Sequence, residues 1–193
     1  MKTSRSTSAS GQSLDLLLEV AEHLTRAGVP YVVVGAVAAA VHGVVRSTLD
    51  ADALISASLG TLMEVARVFK ERGYATELRR GDDSDPIPAM LVITDAFENR
   101  VDLLGGLRGL DGSVFSRAVA VPFRNATLQL ASGEDVIAMK CFAGGPQDLI
   151  DAEQLLQSVG SDLDMGLVRR LVRRYGRSAA DNLENLLAKS AEG

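Results

Sequence analysis

Asp50 and Asp52 stand two residues apart in the apolar run LDADALI, where a core strand would carry valine or leucine. The two-residue period of a strand puts both carboxylates on one face, with Cβ atoms about 7 Å apart. Asp102 in NRVDLL is a third carboxylate in an apolar strand. If the two strands are neighbours, all three acids converge. Two unit charges about 4 Å apart repel by roughly 4 kcal/mol at an effective dielectric of 20. A domain holds together by only about 5–15 kcal/mol in all. Such a group must therefore bind protons or a divalent cation, and hard carboxylate oxygens suit Mg2+ or Mn2+. The competing explanation is that each aspartate caps a strand end or pairs privately with Arg46, Arg79 or Arg100. Two further Asp-x-Asp pairs have structural explanations: Asp83/Asp85 falls in a turn loop, and Asp162/Asp164 sits where a helix N-cap is expected.

The segment before the acidic pair adds a second kind of chemistry. YVVV reads as a buried strand, Gly35 ends it, and AVAAAVHG reads as a short helix of small residues. A helix starting directly after a strand offers unpaired backbone amides to an anion. Amides that cradle phosphate, followed by a strand bearing paired carboxylates, are what metal-assisted phosphoryl transfer requires.

The remaining elements must position these groups. SLDLLLEVAEHLTRAG places Leu14, Leu17, Leu18, Ala21 and Leu24 at helical spacing and stops at Gly28. SLGTLMEVARVFKERG is an amphipathic helix, followed by the strand YATEL. AMLVITDA and NRVDLLGG read as an antiparallel hairpin, and VAVPF and ATLQLA as short strands. Ser132, three residues before Asp135, approximates a capping box for the next helix. From Pro146 onward the chain reads as helices. The expected organisation is a disordered polar tail at 1–12, a mixed β-sheet flanked by helices at 13–131, and a C-terminal helical lobe at 132–193 packed on the sheet. The class is α/β, or α+β.

Composition sets limits. Of 193 residues, 47% are hydrophobic and 23% charged, as in an ordinary globular protein. The formal net charge of -5 argues against non-specific DNA binding, which needs a basic surface. Cys141 is the single cysteine, which suits a reducing cytoplasm, and it reads as a small buried hydrophobe. The N-terminal tail lacks the apolar stretch of a secretory signal, and no window is apolar enough for a membrane span.

VVVGAVAAAVHGVVRSTLDADALI resembles the nucleotidyltransferase fold of the DNA polymerase β superfamily, and particularly the AbiEii-type abortive-infection toxins. The matching residues are Gly35-Ala36, the Arg46-x-Thr48-x-Asp50-x-Asp52 element, Asp102, Lys140, and Asp148 with Asp151 in QDLIDAEQLL. The resemblance implies a Mg2+-dependent enzyme that moves a nucleoside monophosphate from an NTP to an acceptor hydroxyl. It casts Asp50, Asp52 and Asp102 as metal ligands and Asp148 as a general base. Gly35, Ala36, Arg46, Thr48 and Lys140 become phosphate-binding groups. The implied acceptor is tRNA, a protein or a small molecule such as an aminoglycoside, and the implied partner is an antitoxin protein. Two residues depart from the pattern: Ala36 stands where the family has Gly or Ser, and Gln147 where Lys is common. They motivate a rival, a catalytically silent protein of the same fold that binds a nucleotide or a partner. Elsewhere, His42 reads as structural. Arg169, Arg170, Arg173, Arg174 and Arg177 read as a solvated helix face that also offers RNA, with Tyr175 stacking, a place to lean.

Overall fold

The computed structural model describes residues 7–44 and 50–192. Among them, seven strands form one mixed sheet, and seven α-helices accompany it. The strands are β1 (Tyr31–Val34), β2 (Asp50–Ile55), β3 (Ala75–Arg80), β4 (Ala89–Thr94), β5 (Arg100–Leu104), β6 (Val119–Phe123) and β7 (Ala126–Leu130). Their order across the sheet is β3-β4-β5-β2-β1-β7-β6. The helices are α1 (Ser13–Arg26), α2 (Gly35–Val41), α3 (Leu59–Glu71), α4 (Gly133–Ala143), α5 (Pro146–Val159), α6 (Met165–Tyr175) and α7 (Arg177–Glu192). The α/β class expected from the periodicities is the class observed. No described helix is long and apolar enough to cross a membrane.

The chain divides into two compact units. One comprises Met1–Val33, Ser47–Leu107 and Ala120–Gln129; the other comprises Val34–Arg46, Arg108–Val119 and Leu130–Gly193. The helical unit takes in α2 and the segment 108–119 as well as the C-terminal helices.

In the first unit, β4 and β5 form the expected antiparallel hairpin, and β2 joins β5 in parallel. Ala51, Ala53, Leu91, Ile93, Val101 and Leu103 are all fully or almost fully buried and share one face of these strands. Helix α1 lies against β2 and β5, and α3 against β3 and β4. The buried stripe of α1 runs through Leu16, Leu17, Val20 and Leu24, leaving Leu14 and Leu18 only half-buried. It is rotated from the stripe that the leucine spacing suggests, and the buried face includes Asp15, which pairs with Arg124. Residues 8–12, expected in a polar tail, are tied down. Gln12 Oε1 accepts from the Ser8 and Ala9 amides, and Ser10 Oγ donates to the Phe97 carbonyl.

In the second unit, α4 packs against α2, α5, α6 and α7. Ser132 caps α4 by accepting from the Asp135 amide, and Asp164 caps α6 by accepting from that of Leu167. The segment 108–119, ambiguous in sequence, holds a 3-10 turn at Gly112–Phe115 capped by Asp111. Arg117 fixes it to α4 through two hydrogen bonds to Asp135, at 2.8 and 2.7 Å. Gly109 adopts φ +85, and an added Cβ there would lie 2.5 Å from the Arg174 carbonyl oxygen, so the approach to α6 requires glycine.

Candidate active site

Strand β2 alternates: Ala51 and Ala53 are buried, while Asp50 is exposed and Asp52 half-buried on the opposite face. The parallel register sets Asp50 opposite Arg100 and Asp52 opposite Asp102 on β5. Adjacent strands lie about 4.8 Å apart, so Asp52 and Asp102 are immediate neighbours. Asp102 is buried at 8% exposure, with Val92 of β4 on its other side. The same face of the sheet thus carries Asp50, Asp52, Arg100 and Asp102 in two consecutive rungs.

Arg100 occupies the centre of this group. Its Nε donates to Asp102 Oδ1 at 2.7 Å and its Nη2 to Asp102 Oδ2 at 2.6 Å, a bidentate fork. These hydrogen bonds raise the guanidinium pKa against the opposing effect of burial, and the charges of Asp102, Asp50 and Asp52 add to the rise. Period two explains the geometry, because residues 100 and 102 of one strand point to the same side. Of the arginines weighed as private partners, Arg79 instead pairs with Glu77 on β3, and Arg46 lies outside the described residues. Thr48 also lies outside them.

The strand bearing Arg100 and Asp102 is anchored at its start. Asp95 Oδ1 accepts from the Phe97 and Asn99 amides, and Oδ2 accepts from the Asn99 side chain. Asn99 in turn accepts from the Gln12 amide and donates to the Ala9 carbonyl, while Ser13 Oγ accepts from the Arg100 amide. None of these positioning residues figured in the sequence-based site; a Ser/Asn pair 86 residues apart gives no local signal.

Of the residues expected to bind phosphate and accept a proton, Gly35, Ala36, Lys140 and Asp148 lie in the helical unit. Helix α2 starts at Gly35, whose φ of +64 lets the chain turn directly out of β1. No described side chain caps this helix, and Ala36 is buried at 5% exposure. The His42 ring bonds the Ala131 carbonyl at 2.9 Å, a structural role. Lys140, Asp148 and Asp151 do come together. Lys140 Nζ lies 2.7 Å from Asp148 and 2.8 Å from Asp151, and Asp151 also accepts from Gln147. Lys140 is 6% exposed and Asp151 fully buried. The ammonium is thus engaged inside an ion triad rather than presented to a phosphate, and Asp148 is its partner.

On α6, Arg169 pairs with Glu184, and Arg174 donates to the carbonyls of Gly109 and Leu110. Arg177 lies 3.7 Å from Asp181. Tyr175, expected to be available for stacking, already stacks on Phe142. Arg169, Arg174 and Arg177 of the face expected to offer arginines to RNA thus have intramolecular partners. Cys141 is buried, and burial pushes its thiol up to about 12, as a packed hydrophobe would show.

Carboxylates on adjacent strands are the right donors for a hard divalent cation. In this state, however, both oxygens of Asp102 face Arg100, and among the described residues no three His, Cys, Asp or Glu side chains are assembled as a ligand set. The donor chemistry fits the cation; the third ligand is held by Arg100.

No family model matches the chain, and no curated protein matches it by sequence. Solved structures do. The antibiotic-resistance factor ANT(2'')-Ia, in its solution structure, superposes with a TM-score of 0.59 at 12% identity, over 90% of this chain and 95% of that one. The crystal structure of ANT(2'')-Ia with adenylyl-2''-tobramycin gives 0.58 at 12% identity, over 86% and 100%. The lincosamide adenylyltransferase LnuA, lincomycin-bound, gives 0.50 at 15% identity, over 77% and 98%. The fold is that of the nucleotidyltransferases. At these identities the likeness establishes fold, and the chemistry rests on the residues.

Proposed function

We propose that the protein is a metal-dependent nucleotidyltransferase that moves a nucleoside monophosphate from an NTP to an acceptor hydroxyl. The observation that carries this reading is the register of Asp52 against Asp102, with Asp50 one rung away, on a nucleotidyltransferase sheet. Asp50, Asp52 and Asp102 are the residues that would hold the divalent cation, Mg2+ or Mn2+. When bound, that ion offsets triphosphate charge and makes the acceptor hydroxyl easier to deprotonate. Asp102, buried beside Asp52, orients the acceptor hydroxyl and takes its proton once Arg100 has let it go. Phosphate binding by Gly35, Ala36, Arg46 and Thr48 rests on the sequence resemblance alone. Lys140 and Asp148 enter as a structural clamp between α4 and α5.

The acceptor we favour is a small cationic molecule with free hydroxyls. The net charge of -5 draws such a molecule and repels RNA, and ANT(2'')-Ia and LnuA are structural neighbours bound to antibiotics or their adenylylated form. A toxin paired with an antitoxin rests on the sequence resemblance alone. The second reading, a silent protein of this fold that binds a nucleotide or a partner, is favoured by Ala36 and by the occupied state of Asp102.

Incubation with Mg2+ or Mn2+, each α-labelled NTP, and panels of aminoglycosides, lincosamides and tRNA separates these readings. Label transfer to a small acceptor with pyrophosphate release, abolished in Asp52→Asn, is the expected outcome. Nucleotide binding without transfer to any acceptor would establish the silent reading instead.

A further inference from the structure

Arg100 shares the face of the sheet that carries the three carboxylates. It is on the same face as Asp102, opposite Asp50 in register, and bonded to both Asp102 oxygens. The fork uses one lone pair on each oxygen and places a full positive charge against the ligand face. The Arg100 side chain is 33% exposed against 11% for that of Asp102, so its head has solvent to move into while the carboxylate does not. The backbone beneath both is fixed by Ser13 and by the Asn99 clamp, so exchange at this spot is a side-chain event.

We propose that Arg100 is a built-in counter-cation: it holds Asp102 when no divalent ion is bound and must release it for the ion to bind, so that loading of the site is an exchange of cations. This rests on the reading of Asp50, Asp52 and Asp102 as metal ligands. It follows that the arginine lowers the apparent affinity for free metal and lends the empty site its stability. The guanidinium released from Asp102 stays on the rung of Asp50, where it is placed to meet the negative charge of an incoming phosphate. Metal and nucleotide then bind better together than either does alone.

The test is Mn2+ binding to the full-length protein, followed by electron paramagnetic resonance of the free ion, with thermal melting of the same samples. Arg100→Met removes the competing cation and leaves a side chain of similar length. Its affinity for Mn2+ is expected to rise at least tenfold, the scale of a charged hydrogen-bonded pair. Its melting temperature without metal is expected to fall and to recover when Mn2+ is added. Arg100→Lys keeps the charge but cannot form the fork, and is expected to bind Mn2+ with intermediate affinity. Mn2+ binding that Asp52→Asn abolishes, but that Arg100→Met leaves equal or weakens, would overturn the exchange and leave the metal site standing. Absence of Mn2+ binding in the wild type and in all variants would overturn both.

Discussion

The Asp95 carboxylate is worth most where it is charged. Burial by itself would raise its pKa, but hydrogen bonds from the Asn99 side chain, Thr7, and the Phe97 and Asn99 amides bring it below the ordinary value. The folded state therefore holds fewer protons than the unfolded chain around that value. Its contribution is fully present above about pH 4 and is lost as the pH falls through the depressed pKa. Asp95→Ala is expected to cost about 2 kcal/mol at pH 7, read from urea unfolding, and to flatten the acid limb of the stability curve. A variant as stable as the wild type at pH 7 would show that the turn closes without this acid. At the same scale, sequence reasoning found Asp50, Asp52 and Asp102 because a charge breaks an apolar strand pattern. It weighed Arg100 as one of three arginine partners, although Arg100 and Asp102, two apart on one strand, already share a face.

Helices α4 and α5 are joined by an ion triad whose members lie 8 and 11 residues apart in the chain. Lys140 is almost inaccessible, and Asp151 is fully so. Removing one member of a buried ion group costs about 3–5 kcal/mol because the remaining charge has lost its compensation. Lys140→Met is therefore expected to lower the urea midpoint sharply, and Lys140→Met with Asp151→Leu to regain most of the loss. If Lys140→Met left stability unchanged but removed nucleotide binding, the residue would belong with the phosphate-binding groups after all. The boundaries of these helices were legible: Pro146 opens α5, and Asp164 caps α6. Their ion pairing was not, because nothing local in the sequence ties Lys140 to Asp148 and Asp151, 8 and 11 residues on.

Across the molecule, the strands themselves were visible as apolar runs between turn residues, but their order was not. β5 lies between β4 and β2, and β7 beside β1, pairings that no local pattern encodes. That order is what makes neighbours of Asp52 and Asp102, fifty residues apart in the chain. It also decides that Arg100 meets Asp50. The fold therefore turns three scattered acids into one functional candidate, and the value of that candidate rests on whether it takes up metal and nucleotide. The most direct measurement is isothermal titration of a non-transferable NTP analogue into wild-type and Asp52→Asn protein, with and without Mn2+. Binding that requires Mn2+ and weakens at least tenfold in Asp52→Asn is the result expected. Equal binding by the two proteins, or binding indifferent to Mn2+, would contradict the assignment of these acids as the catalytic centre.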